Sequence, residues 1–364
     1  QLFIFIRVIS CEAVVTHDLQ HRFPVLFEFR KSAKHSGNFR APNDYAVGII
    51  TPADVDADYQ NMQQARWAAE DGLRRMKTVL GTAFDADTST PRAYLYAGFA
   101  NRLLGENSCQ AVIDGGSAQS DSVYFERADS LFTRANQTAT AQGRTTIATA
   151  ALAGRASVRA ALGDWTDAVA DAEQIPATFV FDAVFSINSA RENNDLANQT
   201  HVRREMTVYG TEWAATDSDP RTPWDTVFTS SHTVQKGNDG RTPFFRQDKY
   251  VTLADGIPLT KGTEMLLIRA EAALRDADVT DMTDFINQER AVYGLPDVAE
   301  PASTPDAWTL LQHERGAVLW LEARRLWDLR RWYADGTNDF LQGRATCMPF
   351  GQRELVSNPY LHAQ

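Results

Sequence analysis

TTIATAALAGRASVRAALGDWTDAVADAEQIP, residues 145–176, is the stretch on which the fold turns. Its first half, 145–162, reads as a helix dense in alanine. Leu162-Gly163-Asp164-Trp165 then interrupts the run, and Ala168, Val169 and Ala172 resume it. Pro176 ends the second rod, because proline has no amide hydrogen to continue the ladder. Alanines at the contact positions let two such rods lie close together. The stretch therefore predicts a helical hairpin with a glycine at the turn and a proline at the exit.

Working outward, the same period appears on both sides. Thr51-Pro52-Ala53-Asp54 reads as a helix entry, and Val55, Tyr59, Met62, Trp67, Leu73, Met76 and Leu80 follow at mostly helical spacing. Pro91 opens another helix that ends at Leu104-Gly105, with Gly98 placed to admit a close neighbour, and a third runs over 123–138. A second hairpin occupies 264–296, where Met265, Leu266, Leu267, Ile268 and Ala270 face Met282, Phe285, Ile286, Ala291 and Val292. One long helix is expected over 305–333. Repeated hairpins of this size are the layout of tetratricopeptide units. The predicted class is all-α, a tetratricopeptide-like helical-hairpin superhelix with a long irregular insertion. Its segments are 1–50, a helical-repeat region 51–178, a loop-rich insertion 179–262, and a C-terminal region 263–364. The insertion is rich in Asn, Asp, Thr, Gly and Pro, yet Tyr209, Trp213, Trp224, Phe228, Phe244, Phe245 and Tyr250 are spread through it, which argues for order.

Composition narrows the function. The 364 residues hold 36 Lys and Arg against 47 Asp and Glu, a net charge of −11 that repels polyanions, so nucleic acid is excluded as a partner. Only six of the cations are Lys (Lys31, Lys34, Lys77, Lys236, Lys249 and Lys261), and no polybasic run exists. No stretch reaches the ~18 apolar residues of a membrane-spanning helix. Three cysteines, Cys11, Cys109 and Cys347, fit no zinc or redox spacing. Cys109 and Cys347 are either a bridge or two buried thiols. The opening residues end in Val8-Ile9-Ser10-Cys11, compatible with a lipoprotein cleavage box, which makes Cys11 either a lipid attachment point or an inert thiol. The seven histidines are dispersed and no phosphate-binding glycine loop or nucleophile elbow occurs, so no catalytic residue, metal or cofactor is expected. Asp217, Asp219 and Asp225, or Asn238 and Asp239, are the oxygen donors that calcium would use if it bound. Trp67, Trp165, Trp320, Trp327 and Trp332 lie in helical segments and are read as core. In the last helix Glu322 with Arg325 and Asp328 with Arg331 stand three residues apart, and charges among so many large apolar groups call for pairing.

In these last helices the chain resembles the SusD/RagB family of outer-membrane nutrient-binding lipoproteins. Glu314-Arg315, Leu319, Glu322, Arg325, Asp328-Leu329 and Arg331-Trp332 resemble that family's signature. Glu264 to Ala272, Asn287 to Arg290 and Gly294-Leu295-Pro296 resemble the helices before it. Asp219-Pro220-Arg221 and Lys249-Tyr250 fall in the family's order within the insertion, and Cys347-Met348-Pro349-Phe350 before Ser357-Asn358-Pro359 resembles its tail. The resemblance implies a binding protein, not an enzyme, lipid-anchored on the extracellular face of the outer membrane. It would capture glycan or peptide and deliver it to a TonB-dependent transporter of the SusC type. A sugar ring has apolar C–H faces, so a glycan binder needs aromatic platforms beside planar polar groups. Trp213, Trp224, Phe244, Phe245 and Arg221 supply both in the insertion, and by family analogy Phe39, Arg40 and Tyr45 form the opposite wall. The alternative is a helical-repeat scaffold that binds another protein in its groove without a small-molecule ligand.

Overall fold

A computed structural model describes residues 32–38, 40–215 and 219–361. Phe39, Asp217, Cys11, His17, His21 and His362 lie outside the described residues. The helices are α1 (Arg40–Ala46), α2 (Asp56–Leu80), α3 (Thr90–Asn107), α4 (Ser122–Ala141), α5 (Thr145–Leu162) and α6 (Trp165–Ala172) before the insertion. After it come α7 (Gly262–Arg275), α8 (Val279–Val292), α9 (Thr304–Val318), α10 (Arg325–Ala334) and α11 (Gln352–Ser357). The short strands are β1 (Lys34–His35), β2 (Gln110–Ala111), β3 (Gln119–Ser120), β4 (Val180–Ala183), β5 (Met206–Thr207), β6 (Trp224–Thr226), β7 (Phe245–Gln247) and β8 (Ile257–Lys261). The architecture is the predicted helical one, matching helical-superhelix structures described below.

Each hairpin turns by the chemistry that its sequence signalled. Gly163 adopts φ +81°, a left-handed conformation open to glycine, and Asp164 then caps α6 by accepting from the Asp167 amide. The α7–α8 turn works similarly, with Asp278 capping α8 through the Asp281 amide. Consecutive helices pack on one another from α2 to α6, and α7 extends the stack by packing on α5 and α6. Phe132 of α4 is wholly buried between Gly98 of α3 and Gly154 of α5. A methyl group added at either glycine would sit within 2.7 Å of the Phe132 ring, so the two bare backbones set the helix spacing.

The insertion is closed at its base by β4 and β8, which pair antiparallel. Beyond that stem, β5 pairs with β1 and β6 with β7, both antiparallel. Among the described residues no helix is long and apolar enough to cross a membrane. Cys109 and Cys347 form a disulfide that fastens the tail to the segment after α3. The same junction carries backbone bonds from Cys109 to Met348 and from Met348 to Asn107.

Three expectations need correction. Trp67 is 46% exposed on the solvent side of α2, whereas Trp320 and Trp332 are buried and Trp165 and Trp327 are partly so. The helix expected over 305–333 is broken between α9 and α10, where Leu321 and Ala323 take positive φ. The break is stabilised by groups far away in sequence. Lys261 Nζ donates to the Val318 carbonyl at 2.5 Å and Lys249 Nζ to the Trp320 carbonyl at 2.6 Å. Both ammonium groups also bind Glu322, at 2.5 and 2.7 Å, so Glu322 does not pair with Arg325 as expected. Arg325 instead donates to the Gln312 carbonyl of α9. Cations at the end of α9 suit the partial negative charge of its last carbonyls.

Candidate functional site

The insertion is held to the helical body by buried charge. Arg221, whose side chain is 1% exposed, donates to Glu289 of α8 at 3.0 Å and also contacts Glu314 of α9. It also binds Asp219, two residues before it, at 2.8 Å. Arg290 takes the other oxygen of Glu314 at 2.7 Å. Burial pushes the Glu289 carboxyl up to about 7, against the opposing pull of Arg221. Burial would likewise raise Asp219, but the hydrogen bonds from Arg221 outweigh it and hold the carboxyl below its ordinary value.

Deeper in the body, burial also opposes ionisation of Glu264 and Glu271, and cations win. Arg324, Arg315 and Arg102 hold Glu264 at about 2, and Arg331 and its neighbours hold Glu271 at about 2. Glu264 accepts from Arg324 at 2.9 Å and from Ser157, and Glu271 accepts from Arg331 and the Trp332 indole. Asp328 joins Arg331 at 3.0 Å, the pair that the spacing predicted, and Arg315 at 2.8 Å. Glu264 and Glu271, held ionised in this way, are poor proton donors.

Most of the sequence-chosen platform residues are taken by packing. Trp213 is 1% exposed and stacks near His313, and Phe244 is 2% exposed, so neither ring presents a face to a ligand. Tyr45 is buried in the cluster around Tyr59 and Met348, and Arg221 is spent on its three acids. These four positions are corrected from ligand contacts to anchors. For Trp213 and Arg221 the reason is that an insertion without a large sheet uses aromatic and cationic groups to attach to the helices, while Tyr45 belongs to the core beneath α1. Arg40 is exposed and pairs with Asp44 one turn on in α1.

Trp224 and Phe245 remain at the surface, each half-buried. They lie diagonally on the paired strands β6 and β7 with rings stacked at 4.9 Å and 6° between planes. Tyr209, 39% exposed, meets Phe245 edge-on at 5.2 Å. The Trp224 indole N–H donates to the Trp213 carbonyl at 2.9 Å, which fixes the ring's orientation. Beside Trp224 opens a hollow of about 450 Å³ lined by Asp219, Pro220, Thr222, Pro223, Asp225, Thr226 and Asp248. Sequence reasoning did not single out Thr222 or Asp248 for the wall. The signal available was the short apolar–polar alternation on β6 and β7, too brief to rank above noise. Among the described residues no three His, Cys, Asp or Glu groups gather as a metal site.

The architecture is a stack of helical hairpins that carries one ordered, aromatic-faced insertion. Residues 256–357 match the model of the SusD family. The whole fold resembles a SusD homolog from Bacteroides thetaiotaomicron at TM-score 0.72 and 14% identity, covering 97% of this chain and 94% of that one. It also resembles a SusD superfamily protein from Bacteroides vulgatus at TM-score 0.68 and 13% identity, covering 98% and 97%. A SusD-like carbohydrate-binding protein from Bacteroides fragilis gives TM-score 0.60 at 15% identity, covering 86% and 81%. No curated protein matches the chain by sequence. The chain thus has a SusD-like fold, and its segment 256–357 carries the match to the SusD family.

Proposed function

We propose that this protein captures oligosaccharide on its insertion, at the surface formed by Trp224, Phe245 and Tyr209, and passes it to a SusC-type TonB-dependent transporter. A lipid anchor would hold it to the extracellular face of the outer membrane, and it performs no covalent chemistry of its own. One observation carries the reading: stacked rings half open to solvent stand beside a hollow of about 450 Å³ on the part of the chain that the helices hold out. The hollow falls within the volume range of small-molecule sites. The carbohydrate-binding description of the Bacteroides fragilis relative supports glycan over peptide.

The experiment is calorimetric titration of the full chain with a panel of oligosaccharides, repeated on Trp224→Ala. Binding that falls about tenfold or more in the variant, at an unchanged melting temperature, is expected. Binding that is indifferent to Trp224 and Phe245 overturns the site and favours a groove on the helices. Affinity capture from outer-membrane extract tests the transporter step, and recovery of no large β-barrel protein refutes it.

A further inference from the structure

The hollow beside Trp224 has an uneven charge. Its wall holds three carboxylates, Asp219, Asp225 and Asp248, and no Lys or Arg. Arg221 occupies Asp219, and Arg246 donates to Asp248 at 2.8 Å. Asp225 lies exposed on β6, opposite Arg246 in the ladder, and its carboxylate forms no hydrogen bond or ion pair among the described residues. A second feature is independent of charge. Thr222 is 1% exposed in the same wall, and its hydroxyl has no hydrogen-bond partner. A buried hydroxyl left unpaired costs free energy that a ligand group can recover. The wall thus combines an aromatic ring, a free carboxylate and an unmet hydroxyl.

We propose that this hollow takes a saccharide that carries a protonated amine, with Trp224 against the sugar's apolar face, Asp225 as counter-charge and Thr222 as a polar contact. The proposal rests on the glycan-capture reading above and names the ligand class of that site. A cation beside an indole face gains from the ring's quadrupole as well as from the carboxylate. The chain's net charge of −11 adds a long-range field that draws cations and repels uronic or sulfated sugars. A bare metal ion is a poorer fit, since the wall acids are not gathered into a metal-binding group.

Calorimetry on the full chain with four probes tests this: a glucosamine hexasaccharide, its fully N-acetylated counterpart, a galacturonate hexasaccharide and hexalysine. The free-amine saccharide is expected to bind about tenfold tighter than the acetylated one, as a charge-assisted hydrogen bond allows. That preference shrinks at high salt. Asp225→Asn abolishes most of the preference, and Thr222→Val weakens binding without lowering the melting temperature. Equal binding of the amine and acetylated saccharides, or preference for galacturonate, overturns the amine proposal and leaves glycan capture standing. Hexalysine binding as tightly as the saccharide also overturns it, because the ligand is then a cationic peptide. Failure of every saccharide overturns glycan capture itself.

Discussion

Replacing Arg221 by Met separates anchoring from ligand contact. The guanidinium is buried between Glu289 and Glu314, so its removal leaves Glu289 without its hydrogen-bonded cation, while Arg290 still holds Glu314. Breaking a buried pair by removing one partner costs about 3–5 kcal/mol. With an unfolding entropy of about 2.1 cal/mol/K per residue, that lowers the melting temperature of this 364-residue chain by roughly 4–7 °C. The deficit depends on pH. Glu289 already sits at about 7, above its ordinary 4.5, so the folded state binds more protons than the unfolded one between those values. Its contribution is therefore greatest below 4.5 and is lost as pH rises through 7. Without Arg221 the carboxyl is pushed higher still, and the variant's deficit is larger at pH 8 than at pH 5.5. Adding Glu289→Gln to Arg221→Met recovers part of the loss at pH 8. Differential scanning calorimetry of parent, single and double variants at both pH values reads all three effects. A single variant that melts with the parent but loses saccharide affinity refutes the reasoning, because Arg221 would then be touching ligand.

Acid should unfold the chain by another route. Glu264 and Glu271, held at about 2, stabilise the fold above their ordinary 4.5, and that stability drains as pH falls toward 2; melts between pH 6 and pH 3 should show it. Cys109 and Cys347 close a loop across 238 positions, so Cys109→Ser with Cys347→Ser lowers stability by up to about 5 kcal/mol in the chain-entropy account, measurable by denaturant titration. Gly262→Ala places a methyl 2.0 Å from the Pro176 carbonyl oxygen and 2.7 Å from the Ala177 backbone, which cannot yield as a side chain can. That variant should lose about 3 kcal/mol, read as a lower melting temperature, whereas Gly336→Ala, with no neighbour but a φ of +70°, loses about 1 kcal/mol.

The hairpins were legible because their causes are local. The run from Thr145 to Leu162, the Gly163 turn and the Asp164 cap all act within a few residues, so periodicity and capping chemistry suffice to place α5 and α6. The paired charges of the terminal region were legible for a similar reason: Asp328 and Arg331 are one turn apart. What failed was every feature whose cause lies across the fold. The apolar pattern over 305–333 continues through Leu319, Trp320 and Leu321, and nothing local says that it must break. The break follows from Lys249 and Lys261, which arrive from the insertion to take its carbonyls.

The site divides in the same way. Residue type alone marked Trp213, Trp224, Phe244 and Phe245 as equivalent platforms, since an aromatic ring serves a core or a ligand with the same apolar area. Only the tertiary structure distinguishes them, by burying Trp213 and Phe244 and leaving Trp224, stacked on Phe245, at the rim of a hollow. By itself, then, the sequence determined a helical-hairpin body with an ordered aromatic insertion, because hydrophobic period and turn chemistry are short-range. Which rings and charges are free was decided by packing between segments far apart in the chain, and no local pattern encodes that contact.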